Sequence, residues 1–400
     1  MSWKECDRVS LRREFISLVN REGMSFSSLC ERFGVSRKTG YKWLARFQEE
    51  GVEGLSDRSR RPHRFRTPTD PKMEESVLAI RDAHPAWGGR KIRRRLQDLG
   101  YEGVPAASTI TAILHRHDRI HEEESAKRRV LCRFEHSEPN ALWQMDFKGE
   151  FKMTNGRWCY PLTVLDDHSR YSLILQACSN QQRPTVQGWL QRAFQRYGLP
   201  QGMLMDNGPP WGVPFSPSVR SVLTVWLMDL DIAVLHGRPY HPQTQGKEER
   251  FHRTLKLEVL QGRSFEDLTY TQSRFDAWRQ VYNQERPHEA LDLATPSSRY
   301  RISIREYMER PLPFEYDSSF TVRRASSKGH LIFRGREYPI GKAFVGRWIG
   351  LRPMPEDNCW SVYYRTFSLG TIRLTEGRLR RKYNRGIASS CSSYRDNASK

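Results

Sequence analysis

The sequence lacks the features of membrane-spanning, disulfide-stabilised and P-loop proteins. No segment approaches 18 consecutive apolar residues, and the opening MSWKECDRVSLRREF has no apolar core of a signal peptide. The seven cysteines include no Cys-x-x-Cys pair, which argues against a disulfide framework and against a cysteine-rich zinc site. The GK[ST] loop, G-x-S-x-G and HExxH are also missing. We therefore expect a soluble cytoplasmic protein.

Acidic residues are scarce relative to basic ones. The chain has 66 Lys and Arg against 46 Asp and Glu, a formal net charge of +20. This surplus favours a polyanionic partner, nucleic acid before an anionic membrane, with simple solubility as the remaining alternative. A hydrophobic fraction of 37% is sufficient for buried cores, and 400 residues suggest about two to four domains.

The pattern over residues 1–56 predicts three helices. Ser36 is placed to cap the third helix, which we expect to turn Tyr41, Leu44 and Phe47 inward. A short helix, a glycine turn and a second helix are typical of a helix-turn-helix unit, whose second helix enters a major groove. A plain three-helix bundle with a solvated basic face is the alternative. The residues expected to contact DNA on the third helix are Arg37, Lys38 and Lys42.

A second helical unit follows a basic linker. The linker, 57–71, is rich in Arg and Pro, and apolar residues then recur at helical spacing over 72–121. We expect a second helix-turn-helix or winged-helix-like domain there, followed by another linker over 122–140. Two such units would read a long DNA site through two contacts.

The remaining chain changes character twice. Over 141–300, strand-like segments rich in aromatic and long apolar residues precede alternating helices and strands, which predicts an α/β core with a mixed sheet. Over 301–375, short strands bounded by Gly, Pro and Asn turns predict a small β-barrel. The basic, Ser-rich residues 376–400 predict a disordered tail.

Acidic residues in the α/β region occur at the ends of elements. Asp146 lies in the first strand, Asp206 ends a later strand, and Glu248 and Glu249 begin a helix inside the basic run 240–256. Sites in α/β folds form where strand ends meet at one edge of the sheet. Clustered acids would raise one another's pKa, which implies a bound cation. The alternative is that these glutamates pair with neighbouring cations along the helix.

The residues around these acids resemble those of a known family. WQMDFKG, DNGPPWG and HPQTQGKEERFHRTLK occur in the order found in the DDE catalytic core of retroviral-type integrases and bacterial insertion-sequence transposases. The resemblance covers about 140 to 300 and includes VYNQERPHEAL, typical of the bacterial branch. It implies a ribonuclease-H-like core. The separation of Asp206 from Glu249 is longer than is common in the family, because of the Pro-rich loop and the helix after it.

The resemblance implies a role for each matching residue. Asp146, Asp206 and Glu249 would form the catalytic and metal-binding triad, with Glu249 chosen over Glu248 because it directly precedes the Arg of ERFHRTL. Two Mg²⁺ ions are expected, with Mn²⁺ as a substitute. Asp166 and Asp167 are expected to brace a turn or the site, although at their strand end they could also enter it. Asn207 is expected to orient Asp206 or to contact DNA. The DNA-contacting residues expected around the third acid are Tyr240, His241, Gln243, Arg253 and Lys256.

Helical phase gives partial support to this choice. Glu249, Arg253 and Lys256 share one stripe, whereas Glu248 shares its stripe with Leu255 in the more buried direction. In the Pro- and Gly-rich loop 209–218, after Asp206, Trp211 could stack on a base or pack against the surface.

The combined expectation is a DNA transposase. It would bind terminal inverted repeats, cut at the transposon end and join the 3′-hydroxyl to target DNA. Its partner would be double-stranded DNA, it would act as a homo-oligomer on that DNA, and it would associate with the nucleoid. A domesticated DNA-binding regulator with an unused core is the alternative, and a ribonuclease-H-like nuclease or resolvase is a third.

Overall fold

A computed structural model describes most of the chain. The chain divides into two compact units, Met1–Pro68 and Thr69–Lys400. The described residues are 8–19, 25–58, 69–120, 135–206, 208–211, 220–236, 246–374 and 379–381.

The first unit contains the predicted helices. The side chain of Ser36 accepts a hydrogen bond from the backbone N–H of Thr39 at 3.2 Å, which confirms the predicted cap. Gly34 has a φ of 61° in the turn before it, a conformation that glycine adopts without strain. The helices are α1 (Arg8–Val19), α2 (Phe26–Arg32) and α3 (Arg37–Glu50).

The inward face of α3 differs from the prediction at one position. Tyr41 is 57% exposed and stacks on Phe26, whereas Gly40 and Trp43 are buried. A Cβ atom at Gly40 would lie 2.7 Å from the sulfur of Cys30, so α3 approaches α2 closely at that glycine. This close approach turns the neighbouring Tyr41 outward, and the prediction that Tyr41 faces inward was wrong.

The second helical unit is a three-helix cluster. Trp87, Ile92, Leu96 and Ile110 are fully buried in its core. Within 69–120, all of which is described, no strand is present, so the winged alternative is not formed there. The helices are α4 (Pro71–Ala83), α5 (Gly89–Asp98) and α6 (Ala107–Arg116).

The central region contains the predicted mixed sheet. Its order is β2-β3-β1-β5-β6, with β4 paired to β3. β1 and β3 are antiparallel, whereas β1, β5 and β6 run parallel. The strands are β1 (Leu142–Phe147), β2 (Phe151–Lys152), β3 (Trp158–Asp166), β4 (Ser172–Cys178), β5 (Gly202–Met205) and β6 (Ala233–His236).

Helices cover both faces of this sheet. Trp143 and Met145 of β1 pack with α7 and α8 on one face, whereas Leu165 of β3 packs with α9 and α10 on the other. Because strand side chains alternate, Asp146 lies on the face that α9 covers. The helices are α7 (Arg183–Tyr197), α8 (Val222–Asp229), α9 (Gly246–Leu255), α10 (Leu268–Gln284) and α11 (Pro296–Arg299), with a π-helical turn, Lys256–Leu260, after α9.

The C-terminal region forms antiparallel sheets. One sheet has the order β13-β12-β11-β10-β7, and β8 and β9 form a hairpin. Closure into a barrel stays a prediction. The predicted disordered tail 376–400 was wrong over 379–381, where β13 pairs with β12; the rest of the tail lies outside the described residues. The strands are β7 (Thr321–Arg324), β8 (His330–Phe333), β9 (Arg336–Pro339), β10 (Trp348–Pro353), β11 (Cys359–Tyr364), β12 (Phe367–Arg373) and β13 (Leu379–Arg381).

Two predicted boundaries shift. The end of the linker 122–140 packs on the core, where the backbone N–H of Asn140 donates to Asp166 at 2.7 Å. The start of 301–375 also belongs to the core, since Ser303 donates its backbone N–H to Tyr197. Among the described residues, no helix is long and apolar enough to cross a membrane.

Candidate active site

Asp146 and Asp206 lie side by side at the carboxyl edge of the central sheet. In the parallel pair β1 and β5, the last matched residues are Gln144 and Leu204. Continuing this register by two residues brings Asp206 opposite Asp146, and adjacent strands lie about 4.8 Å apart. Both carboxylates are half-buried. The parallel pairing therefore brings together two acids that are 60 positions apart in the sequence numbering.

The first turn of α9 points its two glutamates in different directions. Glu248 is fully buried and accepts a hydrogen bond from the hydroxyl of Thr163 at 3.0 Å. The side chain of Glu249 is exposed and makes no hydrogen bond or salt bridge with any residue that the structure describes. The buried stripe predicted for Glu248 is confirmed, because Leu255 is also fully buried.

Thr163 connects α9 to the strand that carries Asp146. It lies opposite Asp146 in the β1–β3 pair, and its hydroxyl is 2.9 Å from the carbonyl of Asp146. The same hydroxyl is 2.8 Å from Nε2 of His252. Because a hydroxyl has one proton, it donates to one acceptor at a time and accepts from the imidazole. This network fixes the distance between β1 and α9.

Burial and repulsion between like charges raise the pKa values of the acids in the candidate site. Burial, and then the charge of Asp206, raise the pKa of Asp146 to about 7, and the charge of Glu249 adds to the effect. Burial also raises the pKa of Asp206. Burial and the charge of Asp146 raise the pKa of Glu248 well above its usual value. Asp206 and Glu249 are therefore both close enough to Asp146 to act on its charge.

His252 is uncharged at neutral pH. Burial, and then the charge of Lys148, lower its pKa to about 3. Its contacts with Asp146 (3.9 Å from Nδ1 to Oδ2) and Glu248 (3.5 Å from Nε2 to Oε2) are therefore those of a neutral imidazole rather than ion pairs. Its hydrogen bond with Thr163 gives it a positioning role.

The three acids of the expected triad lie close enough to affect one another's charge, but their carboxylates do not surround a common point. Asp146 accepts a hydrogen bond from the backbone N–H of Phe147 at 2.8 Å, and Asp206 accepts one from Gly208 at 3.1 Å. Across the described part of the chain, no three His, Cys, Asp or Glu side chains are grouped so that they could hold a metal ion. Carboxylate oxygens are nevertheless the ligands that hard divalent cations prefer, and a cation would relieve the repulsion that raises the pKa of Asp146.

Asp166 ends β3 and Asp167 follows it, at the end of the β1–β3 pair where Asp166 lies opposite Trp143 rather than Asp146. Asp166 accepts hydrogen bonds from Asn140 and from both the backbone and the hydroxyl of Ser169. Burial raises its pKa despite these donors. Asp167 is also buried and binds the ammonium of Lys247. Both acids hold turns and elements together.

Trp211 is buried rather than available to a base. It is 1% exposed and stacks on Phe147 with ring centroids 5.3 Å apart. Its carbonyl accepts hydrogen bonds from the hydroxyls of Ser221 and Thr224, which start α8. Both alternatives expected for Trp211 were therefore wrong, because the indole packs into the core of the sheet.

The predicted DNA-contacting residues that the structure describes are all exposed. Arg37, Lys38 and Lys42 lie on the outer side of α3. Arg253 and Lys256 lie on the exposed side of α9 and its π-helical continuation. The predicted residues Asn207, Tyr240, His241 and Gln243 lie outside the described residues.

Sequence reasoning missed several neighbours of the acids. Thr163, His252 and Lys148 were given no role, although Lys148 stands two positions after Asp146. Burial, and then the charge of Lys256, lower the pKa of Lys148, which places both lysines beside the site. The sequence showed only that Thr163 lies in a strand. Which residue of β1 lies opposite Thr163 depends on the strand register, which the sequence does not reveal.

Sequence families match most of the chain in pieces. Two matches described as integrase core domain cover residues 136–242 and 230–296. A helix-turn-helix domain covers 11–63, and a homeodomain-like domain covers 39–114. The C-terminal domain of IS481 family transposases covers 320–379.

Individual proteins are also similar to the chain. The chain is 27% identical to an insertion element IS407 protein of Burkholderia multivorans, over 61% of this chain and 88% of that protein. It is 22% identical to a putative transposase for insertion sequence element IS5376 of Geobacillus stearothermophilus, over 84% of this chain and 82% of that protein. A chain of the simian T-cell lymphotropic virus intasome is similar with a TM-score of 0.37 and 14% identity, covering 75% of this chain and 96% of that one.

Helix-turn-helix domains followed by an integrase core define a class of DNA-binding polynucleotidyl transferases. Within that class, the IS481-type C-terminal domain and the insertion-element relatives identify the subgroup. The chain is similar to insertion-sequence transposases, with a central region that matches integrase core domains.

Proposed function

We propose that the chain binds the terminal inverted repeats of its element, cuts at the ends and joins each 3′-hydroxyl to target DNA. The observation that carries this proposal is the parallel register of β1 and β5, whose continuation brings Asp206 beside Asp146, next to a helix whose exposed acid is Glu249. A site at the carboxyl edge of the sheet is open to a duplex, and the surrounding exposed cations suit phosphate groups.

Asp146, Asp206 and Glu249 would hold two Mg²⁺ ions, with Mn²⁺ as a substitute. When bound, such ions activate the attacking oxygen and stabilise charge on the leaving oxygen. In the joining step, the 3′-oxygen of the cut end forms a bond to a target phosphorus while that phosphorus loses its bond to the target 3′-oxygen. The number of phosphodiester bonds is unchanged, and no covalent protein intermediate forms.

The remaining residues would bind and orient the DNA. Arg253 and Lys256 extend along the exposed side of α9 from Glu249, where they would bind phosphates of the strand being cut. The outer side of α3, with Arg37 and Lys42, would enter a major groove. Joining two ends to one target requires a homo-oligomer on the DNA.

The test is a Mg²⁺-dependent nicking and joining assay on DNA that contains an element end. Asp146→Asn, Asp206→Asn and Glu249→Gln should each abolish joining while end binding stays within about twofold, because each change removes a metal ligand and no predicted DNA contact. The matched control is Asp292→Asn. Its side chain is 94% exposed and its left-handed backbone suits asparagine, so joining should be retained.

Three outcomes discriminate between the candidate functions. A transposase cuts and joins, a domesticated regulator binds without cutting, and a nuclease cuts without joining. Joining at the normal rate by any of the three triad variants contradicts the site assignment.

A further inference from the structure

Asp167 lies where the two elements that carry Asp146 and Glu249 meet. Its Oδ1 accepts a hydrogen bond from Nε2 of Gln144 at 2.6 Å, and Gln144 stands two residues before Asp146 in β1. The same oxygen binds the ammonium of Lys247, two residues before Glu249 in α9. One carboxylate oxygen therefore contacts both β1 and α9.

Asp167 is itself held rigidly. Its backbone N–H donates to the carbonyl of Leu142 at 2.9 Å, and its Oδ2 accepts the backbone N–H of His136 at 2.9 Å. The residue is 1% exposed, and both of its carboxylate oxygens are in hydrogen bonds. These contacts leave Asp167 unsuited to binding a metal ion and well suited to fixing the position of Lys247.

Glu249 depends on its neighbours for its position. Its carboxylate has no hydrogen bond or salt bridge among the described residues, so the first turn of α9 determines where that carboxylate points. That turn is held on one side by Lys247 and on the other by Glu248 against Thr163. Of these two contacts, only the one with Lys247 pairs opposite charges.

We propose that Asp167 is a positioning residue, which directs Glu249 towards Asp146 by holding Lys247 of α9 against Gln144 of β1. This proposal rests on the proposed function, since it assigns Glu249 to the triad. A small displacement of a catalytic group is enough to matter, because an error of about 1 Å can cost about 100-fold in rate. Residues that orient metal ligands typically affect metal affinity or activity by about 10–100-fold.

The first experiment compares Asp167→Asn with the full-length wild type. The change keeps the shape of the side chain but removes the charge that holds Lys247. Joining should slow by about 10–100-fold in single-turnover assays, with end binding within about twofold. Calorimetric titration of the DNA-free protein with Mn²⁺ should show binding that is weaker by about 10–100-fold, a readout independent of turnover. Unchanged joining and Mn²⁺ binding would overturn the proposal.

A second variant separates positioning from stability. Asp167→Asn removes the carboxylate that binds the partly buried ammonium of Lys247, which destabilises the fold, whereas removing both charges relieves that cost. The double variant Asp167→Asn/Lys247→Met should therefore recover the melting temperature but not the joining rate, because the contact that holds residue 247 of α9 to Asp167 is still missing. Recovery of both together would show that Asp167 contributes only stability, and would overturn the proposal.

A matched control makes the same chemical change elsewhere. Asp231→Asn breaks the two-bond contact with Arg365 (3.1 and 3.0 Å) outside the candidate site. It should leave joining and Mn²⁺ binding within about twofold of the wild type.

The Glu249→Gln variant separates failure of the proposed function from failure of the positioning role. If Glu249→Gln joins DNA normally, the proposed triad fails. If Glu249→Gln is inactive and Asp167→Asn is fully active, only the positioning role fails.

Discussion

At the scale of single residues, neighbouring glutamates acquire opposite environments because of helical phase. Glu248 is buried against Thr163, whereas Glu249 is exposed and acts on the charge of Asp146. The sequence indicated this division through the stripe that Glu248 shares with Leu255. It gave no indication of the Thr163 contact, because that contact requires the register of β3 against β1.

Two lysines, Lys148 and Lys256, lie close together beside the acids of the candidate site. The charge of Lys256 lowers the pKa of Lys148, which lies two positions after Asp146. A cation placed beside a carboxylate site in this way is suited to a DNA phosphate.

Lys256→Ala should therefore weaken DNA binding and reduce its dependence on salt. Losing one phosphate contact reduces the magnitude of the slope of log K against log salt by about 0.9. The measurement is binding of end DNA over a range of salt concentrations. Leu257→Ala, a neutral change at an exposed neighbour in the same turn, is the control and should leave the slope unchanged. An unchanged slope for Lys256→Ala would place this lysine away from the DNA.

At the scale of elements, the sequence predicted which segments are strands and helices but not how these elements pair and pack against one another. The strand-like segments over 141–300, and the alternation of helices and strands that follows them, were visible in the sequence. The parallel pairing of β1 with β5, which brings Asp206 to Asp146, was expected only as a general property of α/β folds. The predictions for Tyr41 and Trp211 were wrong because packing outweighs the local sequence pattern. For Tyr41 it is the close approach of the helices at Gly40, and for Trp211 it is the stacking on Phe147.

The edge strand β4 shows a feature that periodicity does not reveal. Its outer backbone groups are paired with polar side chains of α10 instead of another strand. Asn283 bonds both the N–H and the carbonyl of Ser172, at 2.8 and 3.0 Å, and Gln272 accepts the N–H of Ala177 at 2.8 Å. The helix therefore covers an edge that would otherwise be open to pairing with another chain.

Asn283→Leu should destabilise the core. The change leaves the buried N–H and carbonyl of Ser172 unpaired, and each such group costs about 1–3 kcal/mol. We expect the free energy of unfolding to fall by about 2–5 kcal/mol in chemical denaturation. Ser273→Ala, at an exposed position of the same helix, should change it by less than about 0.5 kcal/mol. An equal effect of both variants would mean that the edge contacts contribute nothing specific.

At the scale of the whole molecule, the C-terminal sheets are packed on the core of their unit. Val225 and Met228 of α8 are buried within the apolar cluster of those sheets. Asp229, at the end of α8, binds the hydroxyl of Tyr364 and lies 2.6 Å from the guanidinium of Arg347. The start of α8 is in turn bonded to Trp211, whose carbonyl accepts hydrogen bonds from the hydroxyls of Ser221 and Thr224. The helix α8 therefore connects the C-terminal sheets to the segment that follows Asp206.

Met228→Ala should loosen the core and the C-terminal sheets together. Met228 is 3% exposed, and truncating a buried methionine typically costs about 2–5 kcal/mol. Hydrogen exchange should therefore increase in α8 and in β10 to β12 by similar factors, because the two elements share one apolar cluster. Met308→Ala, at a methionine that is 50% exposed, is the control and should leave both regions unchanged. If exchange rises in α8 alone, the sheets hold their structure independently of the core, and the shared cluster does not couple them.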